Sequence, residues 1–383
     1  MSPAAHPQPP IVLAAGGTGG HVFPAQAVAA ELEARGRRLV LVTDRRGIGY
    51  GGALEHIESH AIQAGTPLAR GPLARGLGVV KLLLGVREAG RLLRRLEPVA
   101  VIGFGGYPSV PAMIAAGRGG VATAIHEQNA VLGRANRLLA SRVLRIATSF
   151  EHTSGVSAAN SSKIAHTGNP VRPAIAALAT SAYATPEADG AIHLLITGGS
   201  QGARVFAELA PAALALLPAD IRARLSVAQQ CRPEDLDQVR RRYQAIGIRA
   251  ETAKFFDDLP ARLENAHLVV CRAGASTVAE LAAAGRPAIL IPYPSATDDH
   301  QSANGRALEA AGGAVILHEA ETGAERLAEC LGGFFASPEA LAKAARAARG
   351  VGRPAAGQAL ADLVESLIPA NGDPGTAAPR QAA

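Results

Sequence analysis

The stretch that decides the fold is IVLAAGGTGGHVFPAQAVAAEL, residues 11–32. An apolar run leads into four glycines within five positions, then into His21, and then into a helical pattern over residues 24–36. An ordinary strand–helix turn does not need so many glycines. Glycine permits the positive φ angles of a tight turn and a close approach of a ligand to the backbone. Because backbone N–H groups at a helix N-terminus attract anions, this turn predicts a phosphate site.

The same strand–glycine–helix pattern returns at residues 192–214, and strands alternate with helices in both halves. This alternation predicts parallel, doubly wound sheets. Residues 168–190 break the rhythm with three prolines and are typical of a linker. We therefore expect an α/β protein whose two Rossmann-like, doubly wound domains face a cleft. The expected bounds are a disordered tail at 1–10, a first domain at 11–170, a linker at 171–190, a second domain at 191–352 and a disordered tail at 369–383.

Composition limits the class of protein. A chain of 383 residues exceeds what one hydrophobic core usually supports, and 48% apolar with 18% charged residues fits compact domains. The net charge of +6 suits a phosphorylated or membrane-bound ligand. The N-terminus lacks a signal-peptide pattern, and glycines and prolines interrupt the longest uncharged run, residues 99–117. We therefore expect a cytoplasmic protein without a membrane-spanning helix.

No pattern of metal ligands is visible. The three cysteines are scattered, and the acidic residues at 235–237 lie in a charged helix that is typical of a solvated face. We predict neither a metal nor another cofactor. A Walker A loop is absent. A nicotinamide dinucleotide site keeps limited support, since Asp44 ends the second strand but the third glycine of the fingerprint is missing.

Polar residues cluster where predicted strands end. His21 follows the first glycine loop, HEQN at residues 126–129 follows an apolar strand, and residues 104–108 form a further glycine loop. His21 suits a proton acceptor at a helix N-terminus, with loop bracing as the simpler alternative. A solvated turn is the simpler alternative for HEQN. Glu280, one helical turn after Thr277, can bridge ribose hydroxyls, cap the helix or form an ion pair.

Residues 71–98 predict a basic, apolar helix with six cations and only two acids. Because a core can cover only one side, the other side would form an exposed patch for a partner or a membrane. A deeply buried helix with a basic tail is the alternative, and nucleic acid is disfavoured because no aromatic residues alternate with the cations. One side of the predicted helix carries Leu77, Val80 and Leu84, and the other side carries Val79, Leu83 and Val86. The predicted membrane patch is Leu77, Val80, Lys81, Leu83, Leu84 and Arg87.

Eight motifs, in this order, resemble those of one family. They are GGTGGHVFPAQAVAAEL, GFGGYPSVPA, HEQNAVLGRANRLLA, TGNPVR, TGGSQGAR, FFDDLP, CRAGASTVAE and DDHQSANGRAL. The family is MurG, the bacterial N-acetylglucosaminyltransferases that complete the lipid-linked peptidoglycan precursor, and the resemblance runs from about residue 11 into the 360s. It implies a GT-B fold, a C-terminal helix at residues 353–368 that packs back on the first domain, and a peripheral position on the cytoplasmic face of the inner membrane.

The resemblance also implies the substrates and the residues that hold them. UDP-N-acetylglucosamine would be the donor, and undecaprenyl-diphosphate-muramoyl-pentapeptide at an anionic membrane surface would be the acceptor, with cell-wall synthesis proteins as further partners. Arg172 and Ser200 would contact the diphosphate, Phe256 the uracil region and Glu280 the ribose. Asn129 and Gln301 would read the amino sugar. The remaining donor-side and cleft residues are Thr18, Gly19, Gly20, Ala275, Ser276, Thr277, Val278 and Ala279, and the acceptor diphosphate candidates are Gly105, Gly106 and Tyr107.

The implied reaction is an inverting, single displacement in which the muramoyl 4-hydroxyl attacks the anomeric carbon. His21 is the first candidate for general base and Glu127 the second, and either could instead orient the acceptor. The rival functions are another GT-B sugar-nucleotide enzyme, such as a diacylglycerol glycosyltransferase or a UDP-N-acetylglucosamine 2-epimerase, a nicotinamide oxidoreductase, and a non-catalytic nucleotide-binding protein of the membrane surface. HEQN and FGGYP favour the first function over these rivals.

Overall fold

The computed structural model describes residues 8–16, 19–45, 47, 54–66, 71–187, 189–199 and 203–368. Its strands are β1 Ile11–Ala14, β2 Leu39–Thr43, β3 Glu58–Ala61, β4 Ala100–Gly103, β5 Ala122–Glu127, β6 Arg145–Thr148, β7 Ile164–His166, β8 Ile192–Thr197, β9 Leu225–Gln230, β10 Arg249–Ala253, β11 Leu268–Cys271, β12 Ala288–Leu290 and β13 Ala314–Ile316. Its helices are α1 Gly19–Ala34, α2 Pro72–Leu96, α3 Val110–Arg118, α4 Arg134–Leu139, α5 Pro173–Ala176, α6 Arg204–Ala215, α7 Ala219–Arg224, α8 Leu236–Ala245, α9 Leu259–Asn265, α10 Ala275–Ala284, α11 His300–Ala310, α12 Ala324–Phe335, α13 Pro338–Val351 and α14 Ala356–Ser366.

The first seven strands form one parallel sheet in the order β3-β2-β1-β4-β5-β6-β7. Two strands separate β1 from β4 in the sequence, yet the two pair directly, with Ile11 opposite Ala100. The strand order therefore reverses between them. Open parallel sheets bind ligands outside the carboxyl ends of their strands at such a reversal. Glycine-rich loops of the sequence follow both β1 and β4.

The remaining strands form a second parallel sheet in the order β10-β9-β8-β11-β12-β13. Here the order reverses between β8 and β11, which pair from Leu268 opposite Leu194 onwards. The chain after β8 leads to α6, and the chain after β11 leads to α10. Gly198 and Gly199 after β8, and Gly274 after β11, thus lie at this switch point.

The expected α/β class with two doubly wound sheets is confirmed. Three strands are present that the sequence patterns did not predict: β3, β6 and β7. β3 (ESHA) is a polar, largely exposed edge strand, and β7 has only three half-buried residues, so neither shows an apolar run. Helix α1 begins at Gly19, five residues before the expected start, and Pro24 lies inside it. His21 therefore belongs to the first turn of a helix.

Helix α14, the last described helix, packs on the first half of the chain. Leu360 and Val364 belong to the same buried cluster as Leu32 of α1. On the surface beside this cluster, Arg35 donates to Glu365 at 2.7 Å. The chain thus passes from the second sheet back to the first before residue 369.

Helix α2 is exposed on both sides of its first turns, which corrects the expectation that the core covers one side. In these turns its inward face carries Gly78, the half-buried Leu82 and Gly85, and a Cβ on Gly85 would lie 1.9 Å from the carbonyl oxygen of Gln63. Because the two backbones are so close, the surface that α2 buries at this point is narrow. The side chains on both sides of that surface therefore point to solvent. Of the two predicted sides only Val86 is buried, and Leu77, Val79, Val80, Leu83 and Leu84 are exposed. No helix in the described part of the chain is long and apolar enough to cross a membrane.

Candidate active site

A cavity of about 810 Å³ is lined by residues of both halves of the chain. From the first half it takes the start of α1 and the end of β5, and from the second half the loops after β8, β11 and β12. This is the position where the two switch points face each other. Of the residues predicted from sequence, the cavity brings together Gly20, His21, Asn129, Arg172, Phe256, Ala275, Ser276, Thr277, Glu280 and Gln301.

A second cavity of about 230 Å³ adjoins the first. It holds the three acceptor candidates Gly105, Gly106 and Tyr107, together with Glu127 and residues 131–136, which form the loop before α4 and its first turn. The second half of the chain contributes Thr297, Asp298 and His300 to its wall. His21, Asn129 and His300 border both cavities, so these side chains mark the junction between them.

Three helix N-termini converge on the larger cavity: those of α1, α6 and α10. Gly274 is the N-cap of α10 and Ala203 that of α6, and neither helix has a side chain that caps its backbone N–H groups. These uncapped groups and the helix dipoles favour an anion. The arginines Arg172, Arg204, Arg232 and Arg272 line the same cavity. The larger cavity is therefore suited to a ligand with more than one phosphate.

The imidazole of His21 rests against the glycine turn after β4. Gly105 and Gly106 have φ of +87° and +71°, which side chains other than glycine rarely adopt. A Cβ on Gly106 would lie 3.2 Å from Cδ2 and 3.4 Å from Nε2 of His21. Two glycines are thus needed here both for the turn and for the space that the ring occupies.

Gln128 holds the other nitrogen of this ring. His21 Nδ1 lies 3.1 Å from Gln128 Oε1, and the Nε2 amide of Gln128 donates to the carbonyl oxygen of Phe104 at 2.9 Å. Sequence reasoning pointed to the HEQN segment but did not assign this residue. Its partners lie 107 and 24 residues away in sequence, so no local pattern reveals them.

Glu127 is buried, with 2% of its surface exposed, and both of its carboxylate oxygens are occupied. Oε1 accepts from the backbone N–H of Asn129 at 3.0 Å and from its side-chain amide at 3.2 Å. Oε2 accepts from the Gly133 N–H and from Asn136 Nδ2, both at 2.8 Å. The carboxylate therefore fixes the loop that forms the wall of the smaller cavity.

Arg172 and Glu280 form an ion pair across the larger cavity. Nε and Nη2 of Arg172 lie 3.0 and 2.9 Å from Glu280 Oε1, and the Glu280 side chain is 13% exposed. Burial raises the pKa of the Glu280 carboxyl, and the Arg172 guanidinium opposes that shift. The pair attaches the segment after β7 to the first turns of α10.

Several predicted residues do not face the cavities with their side chains. Val278 is buried in the core, and Ala279 and the buried Gly19 are not among the lining residues. The helix explains Val278 and Ala279, because consecutive residues of α10 point in different directions. Phe256 lines the larger cavity but is only 6% exposed and lies beneath the Arg262 guanidinium at 3.9 Å, whereas the neighbouring Phe255, which also lines the cavity, is exposed. Thr18 and Ser200 lie outside the described residues.

Asn304 of α11 connects the two halves and was not predicted. Its Oδ1 accepts from the Ala130 N–H at 2.8 Å, and its Nδ2 donates to Asn129 Oδ1 and to the Ala273 carbonyl, both at 3.1 Å. The residue is fully buried. Closer to the surface, Arg137 of α4 pairs with Asp298 at 3.3 Å. These contacts cross the cleft beside the two cavities.

No group of three or more His, Cys, Asp or Glu side chains within the described ranges is placed to hold a metal ion. The three cysteines in those ranges are free thiols. The polar groups that line the larger cavity are arginines, amides, histidines, hydroxyls and the carboxylates of Glu280 and Glu319, each of which pairs with an arginine. Glu127 and Asp298 are the carboxylates that line the smaller cavity.

Two doubly wound sheets that face each other across a cleft are the arrangement of the GT-B fold. Residues 11–148 match the family model of the glycosyltransferase family 28 N-terminal domain, and residues 193–366 match that of the glycosyltransferase family 28 C-terminal domain. A UDP-N-acetylglucosamine--N-acetylmuramyl-(pentapeptide) pyrophosphoryl-undecaprenol N-acetylglucosamine transferase of Paramagnetospirillum magneticum is 56% identical over 94% of this chain and 98% of its own length. The chain therefore belongs to the MurG family of N-acetylglucosaminyltransferases.

Solved structures agree with this assignment. A crystal structure of Acinetobacter baumannii MurG is 30% identical, with a TM-score of 0.76 over 94% of this chain and 100% of that one. A UDP-N-acetylglucosamine 2-epimerase of Neisseria meningitidis reaches a TM-score of 0.65 at 15% identity, over 94% of this chain and 99% of that one. At that identity the second likeness shows a shared fold alone.

Proposed function

We propose that the chain moves N-acetylglucosamine from UDP-N-acetylglucosamine to the 4-hydroxyl of undecaprenyl-diphosphate-muramoyl-pentapeptide, the step from lipid I to lipid II. The name of the similar proteins describes such a transfer, and this chain covers nearly their whole length. The observation that carries the proposal is the position of His21 at the junction of the two cavities. A base placed there can act on an acceptor hydroxyl while the donor lies on the other side.

The donor diphosphate would lie at the N-termini of α6 and α10. When the sugar is transferred, the departing UDP gains negative charge, and oriented N–H groups stabilise that charge without having to reorganise. Arg172 uses Nε and Nη2 in its pair with Glu280, which leaves the two N–H groups of Nη1 for a phosphate. Glu280, through its second oxygen, would accept from a ribose hydroxyl.

The muramoyl diphosphate would enter the smaller cavity. With about 230 Å³, this cavity can hold only part of so large an acceptor, so the peptide and the lipid would extend outside it. Gly105 and Gly106 lie close to the His21 ring. A diphosphate bound at the backbone of these glycines would therefore be next to the proposed base. Tyr107 and Asn129 would complete the walls around the sugar.

In the proposed step, His21 Nε2 takes the proton of the muramoyl 4-hydroxyl. The oxygen then forms a bond to the anomeric carbon, and the bond from that carbon to the UDP oxygen breaks, with its electron pair leaving on UDP. One displacement inverts the anomeric configuration. We assign the base to His21 rather than Glu127, because four donors already occupy the Glu127 oxygens.

The first turns of α2 would meet the membrane. Leu77, Val80, Leu83 and Leu84 are each 45 to 60% exposed, and Lys81 and Arg87 accompany them. Exposed apolar side chains flanked by cations suit an anionic lipid surface. The acceptor is anchored in the membrane by its lipid, so such a contact would bring the smaller cavity to its substrate. We propose a peripheral position at the cytoplasmic face of the inner membrane, which this exposed surface supports.

The test is UDP release from UDP-N-acetylglucosamine, measured with and without a lipid-linked muramoyl-pentapeptide. We expect release only with the acceptor, together with a disaccharide product. Release without the acceptor would instead indicate a hydrolytic or epimerase-like activity, and binding of UDP-N-acetylglucosamine without release would indicate a non-catalytic protein.

A further inference from the structure

We propose that Gln128 is a positioning residue that fixes the tautomer of His21, so that the proton is on Nδ1 and the lone pair on Nε2. The catalytic consequence rests on the proposed function, since it presumes that His21 is the base. The structural claim does not depend on it, because the tautomer can be observed without turnover.

The orientation of the Gln128 amide follows from its surroundings. Its Nε2 lies 2.9 Å from the carbonyl oxygen of Phe104 and 3.1 Å from that of His126. Carbonyl oxygens only accept, so the atom that faces them is the NH₂ group. The other end of the amide, Oε1, therefore faces His21 Nδ1 at 3.1 Å. An oxygen without hydrogen at that distance requires a proton on Nδ1.

His126 stabilises the same orientation. Its Nδ1 lies 3.0 Å from Gln128 Nε2, and its Nε2 lies 3.1 Å from the Gly168 carbonyl, to which it must donate. Complete burial lowers the pKa of His126 to about 4, so the ring is neutral at physiological pH. A neutral ring with its proton on Nε2 has a lone pair on Nδ1. The two hydrogens of the Gln128 NH₂ group therefore have three acceptors around them, whereas a reversed amide would place an oxygen against all three.

The resulting chain of hydrogen bonds has one direction. Gln128 accepts from His21, donates to His126, and His126 donates to Gly168. The backbone carbonyl oxygens at the far end can only accept hydrogen bonds. The donor and acceptor roles of His126, Gln128 and His21 are therefore fixed in turn. These hydrogen bonds connect α1 with the residue after β4, with the end of β5 and with the segment after β7.

The free nitrogen is then the one at the cleft. With the proton on Nδ1, Nε2 has the lone pair, and Nε2 approaches the Gly106 turn that borders the smaller cavity. The opposite tautomer would present an N–H to the acceptor hydroxyl and could not accept its proton. In serine proteases, an orienting partner that holds the wrong histidine tautomer lowers kcat by about 10⁴.

The direct test is ¹⁵N NMR of the full-length protein labelled at histidine, with His21→Asn used to assign the His21 signals. At a pH where the ring is neutral, we expect Nδ1 to show the shift of a protonated nitrogen and Nε2 that of an unprotonated one. We expect Gln128→Met, which removes both polar groups at similar size, to yield the shifts of a mixture of tautomers. A protonated Nε2 in the wild-type protein, or unchanged shifts in Gln128→Met, would overturn the proposal.

Kinetics separate this proposal from the proposed function. We expect Gln128→Met to lower kcat by 10-fold or more with the KM for UDP-N-acetylglucosamine unchanged. The matched control is Gln229→Met: Gln229 is also fully buried and donates to a carbonyl, that of Phe206, but it lies outside both cavities. If the tautomer is as proposed and His21→Asn remains fully active, the base assignment fails while the positioning claim stands. If His21→Asn is inactive but Nε2 carries the proton, the positioning claim fails.

Discussion

At the scale of single residues, burial and hydrogen bonding distinguish two side chains that the sequence offered as alternative bases. His21 has one ring nitrogen held by Gln128 and the other near the cleft, whereas Glu127 has four donors on its two oxygens. A carboxylate in that environment stabilises its loop. These two residues therefore differ in what their replacement should do to stability and to activity.

Glu127→Gln should destabilise the protein by about 1–3 kcal/mol, because the new NH₂ group would face a donor such as the Gly133 N–H. The measurement is the free energy of unfolding in denaturant. The control is Glu251→Gln, an exposed carboxylate paired with Arg262, which should change stability by less than about 0.5 kcal/mol. Unchanged stability of Glu127→Gln, combined with a large loss of kcat, would instead support Glu127 as the base.

Gly106→Ala should lower kcat by about 100-fold, since a Cβ there would displace the His21 ring, and misplacement by about 1 Å has effects of that size. Gly71→Ala is the matched control. Gly71 has a similar backbone conformation, with φ of +91° and ψ of +150° against +71° and +151° at Gly106, but a Cβ on it meets nothing within 4 Å. Both variants should therefore show similar backbone strain in thermal unfolding. Equal kcat in the two variants would refute the account of the Gly106 contact.

Much of the site was not predictable from the sequence, for a physical reason. The glycine loops, His21 and the α10 turn follow local patterns, and the structure brings their residues to one cleft. Gln128 and Asn304 bind partners that lie 107 and 174 residues away in the sequence. No local sequence pattern indicates which distant group a single amide side chain will bind. Phe255 and Phe256 are adjacent and identical in type, so the sequence could not show that Phe256 is buried and Phe255 is exposed.

At the scale of elements, the apolar strands were predictable and α2 was only partly so. β1 and β11 are fully buried apolar runs, whose pattern is clear without tertiary information. The sequence of α2 predicted an exposed patch, but its contact through Gly78 and Gly85 depends on the backbone at residues 63–65. This glycine contact leaves both flanks of the helix exposed, as the proposed membrane contact requires.

The double variant Leu83→Ser, Leu84→Ser should weaken binding to vesicles of anionic lipid by 10-fold or more, because burying each leucine contributes about 1.5–3 kcal/mol at most. Sedimentation with vesicles measures the partition. Leu144→Ser and Leu216→Ser, which change leucines that are 54% and 55% exposed elsewhere, are controls that should bind as the wild type does. Equal loss in the controls would show that α2 is not the membrane contact.

At the scale of the whole molecule, two facing sheets produce a site that neither forms alone. The first half supplies His21 and the glycine turn, and the second half supplies the N-termini of α6 and α10. Asn304 ties the loop after β5 to the second half, with three hydrogen bonds to both sides of the cleft. The relative position of the halves should therefore depend on this residue.

Asn304→Ala should lower kcat by 10-fold or more while the Kd for UDP, measured by calorimetry, changes less than about 2-fold. The variant loosens the contact between the halves, but the α6 and α10 N-termini stay in place within the second half. Asn160→Ala is the control, since Asn160 is buried and its amide bonds to Ser157 in the first half. A large change in the UDP Kd would mean that Asn304 serves the donor site and not the link between the halves.

The central claim is that His21 accepts the proton of the acceptor hydroxyl at the junction of the two cavities. The measurement that tests it most directly is kcat for acceptor-dependent UDP release by His21→Ala, with both substrates at saturation. We expect kcat to fall by about 10²–10⁴ with the KM for UDP-N-acetylglucosamine unchanged. A kcat equal to that of the wild type, with only the acceptor KM raised, would contradict it and reduce His21 to a residue that orients the acceptor.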